Sequence, residues 1–182
     1  MAYTTVAEVK TFCKVVGAGD DTLLTAILAS AEAFIEKKTG RVFDAAAATD
    51  QAYTRLSSVP NRFDGNKLYF FSELATSTAV TITDSPTVLY LPEDGPPYYG
   101  CVLTDGAWAY PTVTINGKWG YSETPPADIE LAAWRICKWM YDMKNTKSGD
   151  LVVTPDGQIL IPEGVPGDIM ALIQPYIKVV IA

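Results

Sequence analysis

Residues 20–43, DDTLLTAILASAEAFIEKKTGRVF, constrain the fold more than any other stretch of this chain. Leu23, Leu24, Ile27, Leu28, Ala31, Phe34 and Ile35 recur at helical spacing and form one apolar face. Ala26, Ala29 and Ala33 lie roughly opposite, a small-residue face on which another backbone can come close. Asp20 or Asp21 is placed to cap the first turn by accepting from an orphan backbone N–H. Lys37 and Lys38 sit where the macrodipole favours cations, and Gly40 can supply the left-handed residue that ends a helix. At ~1.5 Å per residue such a helix spans ~30 Å, about the width of a small domain, so the rest of the fold must pack along it.

Upstream, Thr5-Val6-Ala7-Glu8 has the spacing of a capping box, and Val9, Phe12, Cys13 and Val16 follow at helical intervals. The expectation is a helix of about three turns, closed by Gly17-Ala18-Gly19 and joined to the long helix as a hairpin. Downstream the texture becomes β. Candidate strands are 52–59, 67–71, 79–83, 88–91, 98–103 and 112–119. Turn signals separate them at Asp64-Gly65, Asp84-Ser85-Pro86, residues 93–97, Asp105-Gly106 and Asn116-Gly117, the last being the strongest hairpin dipeptide. They predict a small, mostly antiparallel sheet or sandwich.

Pro125-Pro126 resets the chain into a helix running to about Lys144, with Asp128 and Glu130 at its positive end. Ile129, Ala132, Ala133, Ile136, Met140 and Met143 share one face, and Cys137, Trp134 and Tyr141 fan out beside it, with Trp139 on the other flank. So much apolar circumference implies burial on two sides, against the long helix and the sheet. In a sharper reading, Trp134 and Tyr141 also reach a neighbouring subunit. Residues 151–161 read as a hairpin turning at Pro155-Asp156-Gly157. A last short helix starts near Pro166 or Asp168, with Ile169, Leu172, Ile173 and Tyr176 on one face and Pro175 limiting it. The final IKVVIA is an apolar tail that must dock on its own domain or on a partner. The order of elements predicts an α+β fold in one domain, 1–182, with helical parts at 5–43 and 125–182 and a β-rich insertion at about 52–121 between the second and third long helices.

Composition narrows the chemistry. The 182 residues carry 21 acidic and 14 basic side chains, a net charge of −7, which suits a protein that does not grip phosphate backbones. Such a surface can still line a passage through which DNA slides. There are no histidines, which removes the commonest general base and metal ligand. Cys13, Cys101 and Cys137 are widely spaced, so free buried thiols in a reducing compartment are expected. No signal peptide and no apolar run of ~20 residues is present, and the expectation is a soluble protein made in a cytoplasm. No nucleotide, metalloprotease or nucleophile-elbow motif occurs. Asp20-Asp21 and Glu93-Asp94 are adjacent pairs beside cap or turn residues, and Asp94, Asp105 and Asp156 precede glycines as turn formers do. The aromatic residues of the β region, Tyr69 to Tyr121, are not interleaved with Lys or Arg, so core packing is favoured over a stacking platform for single strands. No catalytic set, cofactor or metal site is expected, and the role is structural or interactive.

The segment LLTAILASAEAFIEKKTGRVF resembles the signature helix of the phage head–tail connector (adaptor) proteins, through Leu24, Ala26, Ile27, Ile35, Glu36, Thr39, Gly40, Arg41 and Phe43. Two further landmarks follow in the family's order: VTINGKWGY before the proline-led helix (Pro125, Pro126, Ala127, Asp128, Ile129, Ala132), and Pro175-Tyr176 near the end. The resemblance implies a small helical bundle with a β-rich insertion. It also implies a homo-oligomeric ring of about a dozen copies beneath a portal protein, on closed cyclic symmetry. The double-stranded genome would pass through that ring, with a head-completion or tail protein downstream. Location would be the head–tail junction of a virion made in a bacterial cytoplasm. On this reading Leu24, Ile27, Ile35, Gly40, Arg41 and Phe43 are the motif residues. Trp134 and Tyr141 are candidate subunit contacts, and Tyr176, Ile177, Val179, Val180 and Ile181 a portal-docking tail. The alternatives are a tail-side completion or terminator protein, and a carbohydrate-binding module using the aromatic sheet. The long β insertion and the 151–161 hairpin depart from the family pattern.

Overall fold

The computed structural model describes residues 3–54, 62–84, 86–109, 111–144 and 164–178. Among these residues are four α-helices and two antiparallel sheets, an α+β composition. The chain divides into two compact units, Met1–Arg41 with Pro125–Ala182, and Val42–Thr124. The expected 151–161 hairpin lies outside the described residues.

The first unit is helical. Helix α1 is Val6–Cys13, opened by the expected capping box: Thr5 accepts from the Glu8 backbone N–H, and the Glu8 carboxylate accepts from the Thr5 N–H. It is shorter than the apolar spacing suggested. Lys14 turns left-handed (φ 58°), and Val16, expected on the buried face, is 97% exposed. Only Val9 of α1 is fully buried. Helix α2, Asp21–Thr39, buries Leu24, Ile27, Leu28, Ala31, Ile35 and Thr39. Gly40 ends it in the left-handed conformation (φ 68°), and its N–H donates to Glu36 O. Asp20 occupies the N-cap position but makes no side-chain cap bond. Helix α3, Ala127–Met143, packs on α1, α2 and α4 (Gly167–Ile173), so the second side of this largely apolar helix is covered by α1 and α4. Helix α4 runs into a single 3-10 turn, Gln174–Tyr176, which contains Pro175. No helix of the described residues is long and apolar enough to cross a membrane.

The second unit is β. Its strands are β1 (Thr49–Thr54), β2 (Phe63–Asp64), β3 (Lys67–Leu74), β4 (Thr81–Ile82), β5 (Val88–Leu91), β6 (Tyr98–Leu103) and β7 (Thr112–Gly117). One sheet has the order β1-β7-β4 and the other β2-β3-β6-β5. Their inward residues share one core: Tyr53, Val113, Ile115 and Ile82 from the first, and Phe63, Leu68, Phe70, Leu74, Cys101 and Leu103 from the second. The Asp64-Gly65 signal is a true hairpin turn, with Gly65 (φ 62°) opening the loop between the paired Asp64 and Lys67. The Asn116-Gly117 signal is not. Both residues are inside β7, paired with Asp50 and Thr49 of β1. Gly117 serves close packing instead: a Cβ there would stand 2.7 Å from Leu74 Cδ1. The two chain ends of the unit are tied together, since Val42 O accepts from Tyr121 N (2.7 Å) and Ala45 N donates to Ser122 O (3.0 Å).

Candidate interaction surfaces

The residues singled out from the signature helix turn out to be structural. Leu24, Ile27 and Ile35 are fully buried in the helical unit, and Phe43 is fully buried in the β unit. Thr39-Gly40-Arg41 is a termination device. The Thr39 hydroxyl donates to Ile35 O (2.8 Å) and accepts from Arg41 N (3.3 Å), while Gly40 supplies the left-handed turn. Within the β unit, two landmarks distant in sequence meet. Phe43 packs edge-on against Tyr121 at 5.4 Å. Gly120 lies so close to the chain at Val42 that an added Cβ would stand 2.9 Å from Val42 O. The glycine of W-G-Y is therefore required by a backbone approach, not by a turn.

Trp134 is held by the cap of α1. Its indole N–H donates to Thr4 Oγ1 (2.6 Å), the Thr4 hydroxyl donates to Glu8 Oε2 (2.8 Å), and its ring lies 5.6 Å from that of Phe12. Hydrogen bonds from Thr5 and Thr4 hold the Glu8 carboxyl below its ordinary range. Tyr141 donates to Asp20 Oδ2 (2.6 Å), and Lys144 pairs with the other carboxylate oxygen. Asp20 thus joins the last turn of α3 to the start of α2 rather than capping its own helix. The Lys144 and Tyr141 bonds lower its carboxyl pKa. Trp134 and Tyr141 both remain half-buried. Their indole and phenol groups, in the sequence only bulky flank residues, are bonding groups of the helical unit, and the signal that could have exposed this is the T-T-x-x-E pairing of two hydroxyls with one carboxylate.

Beside Trp134 the helical unit carries a shallow groove of about 270 Å³, lined by Glu8, Thr11, Phe12, Glu130 and Trp134. It has an aromatic floor and a carboxylate on each helix. The root of the tail is fixed: Lys178 N donates to Thr39 O (2.7 Å). Of the tail residues, Tyr176 is half-buried and Ile177 is 37% exposed, while Val179, Val180 and Ile181 lie outside the described residues.

The β unit keeps most of its aromatic side chains inside, but Tyr69, Phe71, Leu89 and Tyr99 are exposed. Phe71 stacks on Tyr53 (4.7 Å, 9°) and carries the Arg62 guanidinium on its ring at 4.8 Å. A second hollow of about 320 Å³ is lined by Val88, Leu89, Tyr90, Glu93 and Tyr98, with Glu93 its one charged group. Burial pushes the Tyr90 phenol up to about 12, and the Cys101 and Cys137 thiols likewise. Among the described residues no cluster of His, Cys, Asp or Glu has the arrangement to hold a metal ion.

No curated protein matches the sequence. The fold is shared with chains of solved gene transfer agent (GTA) particles. One is in the neck of an empty particle computed with C6 symmetry (17% identity, 99% of this chain and 92% of that one, TM-score 0.62). Another is in the virion of the native particle (18%, 99% and 92%, TM-score 0.56), and a third in the native neck computed with C12 symmetry (18%, 100% and 96%, TM-score 0.50). Residues 3–68, from the α1 cap through the signature helix into β3, match the phage gp6-like head-tail connector protein family, whose members are structural connectors and not enzymes.

Proposed function

We propose that this chain is a subunit of a head–tail connector. Copies form a closed ring of about a dozen beneath a portal, on the cyclic symmetry that such rings adopt. The double-stranded genome passes through it, and a head-completion or tail protein binds the far side. The protein is made in the host bacterial cytoplasm and ends in the virion at the head–tail junction. One observation carries this reading: a connector-family match over residues 3–68 coincides with a fold likeness over 99% of the chain to a chain of a particle neck. The C6 and C12 symmetries of those necks support a ring of identical copies here. The helical unit acts as a small bundle, and the β unit is an insertion in it whose entry and exit segments are tied at Val42–Tyr121 and Ala45–Ser122.

The tail from Tyr176 onward docks on the portal. Its anchored root at Lys178 and the exposed Ile177 support this. The test is co-expression with a portal protein of the same source, followed by electron microscopy of the complex. A ring on the portal is the expected result. A protein that stays single with both portal and tail proteins refutes the connector reading. Deleting residues 177–182 removes portal co-purification and leaves the fold intact; unchanged co-purification refutes the docking role of the tail.

A further inference from the structure

A ring of identical subunits needs two different surfaces on each copy that fit each other, because a head-to-tail contact is heterologous. The helical unit carries such a pair. On α2 the residues opposite the buried face are Thr22, Ala29, Ala33 and Lys37, all exposed, with Ala26 half-buried among them. Lys37 makes no ion pair among the described residues. The α1–α3 groove has aromatic Phe12 and Trp134 at its floor and the carboxylates of Glu8 and Glu130 at its sides. The ridge is the face of α2 turned from its buried residues, and the groove is lined by α1 and α3, so the two are different surfaces of one unit.

We infer that the outer face of α2 in one copy seats in the α1–α3 groove of the next, with Ala29 and Ala33 against Phe12 and Trp134 and Lys37 between Glu8 and Glu130. Two properties select a second copy as the occupant. The charges are complementary: a ridge ending in an unpaired cation meets a groove with two carboxylates, one of them Glu8, which its threonine bonds keep ionised. The shapes are complementary as well: alanines allow a helix backbone to approach an aromatic floor that bulkier side chains would hold off. The inference rests on the ring reading above and adds to it which faces meet.

The test uses the full chain with Cys13→Ser, which removes the one thiol that is not buried. Thr11→Cys and Ala33→Cys are introduced separately and together. Under mild oxidation the two single variants, mixed, form a disulfide-linked pair, and the double variant forms a ladder of trimers and larger species. Each single variant alone stays monomeric on the gel. Glu130→Lys lowers the ladder by about tenfold, and Lys37→Glu added to it restores the yield, the signature of a complementary pair. Absence of the mixed cross-link, or equal cross-linking of either single variant with itself, overturns the inference. Electron microscopy of the same variants mixed with portal protein then separates the two claims: rings without the cross-link refute only this interface, and the absence of rings refutes the connector reading too.

Discussion

The two units handle apolar surface in opposite ways. Among the described residues of the helical unit the large apolar side chains of α2 and α3 are inside or half-buried, and the exposed ones are Val16, in the link between α1 and α2, and Ile177 in the tail root. In the β unit Val42, Tyr69, Phe71, Leu89 and Tyr99 face outward although the inner faces of both sheets are filled. The helical unit closes with polar fasteners: Thr4 and Glu8 on Trp134, Asp20 on Tyr141 and Lys144, Lys10 on Asp21 (2.5 Å). The β unit closes with aromatic packing and with glycines at close approaches, to backbone at Gly100 and Gly120 and to the Leu74 side chain at Gly117. Among the described residues most of the exposed apolar side chains are thus on the strands, at Tyr69, Phe71, Leu89 and Tyr99.

This contrast can be broken or sharpened by substitution. Ile136→Ala, in the middle of the buried face of α3, should cost about 2–5 kcal/mol, since the site cannot collapse fully. Urea unfolding followed by the helical circular dichroism signal measures it, and a smaller loss would mean the helical core is loosely packed. Gly100→Ala should cost the β unit about 1–3 kcal/mol, because a Cβ would meet backbone and not a movable side chain; that Cβ would stand 2.6 Å from Leu68 O. Near-ultraviolet dichroism of the aromatic core reports it. Trp134→Phe keeps the ring and removes the bond to Thr4, and should cost about 0.5–1.5 kcal/mol. An unaffected melting temperature would show the fastener to be dispensable.

The fasteners also give the helical unit an acid limit. The carboxyls of Asp20 and Glu8 have lowered pKa values in the folded chain, so their contribution is complete above the unfolded carboxyl range near 4 and is lost as pH falls through the folded values. Asp20→Asn should flatten the stability profile below that range and leave it unchanged in shape near neutrality; an unchanged acid slope would remove Asp20 from the account. The smallest effect belongs to the β surface. Leu89→Ser should alter stability by no more than about 0.5 kcal/mol, because the side chain is 52% exposed. A large loss in a thermal melt would mean that this residue supports the sheet.

Much of the fold was legible because local rules and tertiary packing agree. The Thr5–Glu8 box, the Gly40 stop and the strands at 88–91 and 98–103 appear as read. Failures occur where a non-local partner outbids a local rule. Asp20 is drawn to Tyr141 and Lys144 across a long stretch of sequence, so it does not cap α2. Asn116-Gly117 has turn chemistry, but neighbours on both sides of β7 extend it. Val16 keeps helical spacing, yet Lys14 has already turned the chain left-handed. The signature residues were found by resemblance, and their role as core and helix stop is visible only once Thr39, Gly40 and Phe43 have their neighbours. The α1–α3 groove combines residues over a hundred positions apart, which no periodicity can bring together.

The bond from Lys178 N to Thr39 O has a mechanical consequence. It hitches the outgoing end of the chain to the last carbonyl of the longest helix, one residue before the glycine that stops it. Were a partner to grip the residues beyond 178, as proposed, a pull there would reach the foot of α2, a helix on which α1, α3 and α4 all pack, so load taken at the tail would be shared by the body of the subunit.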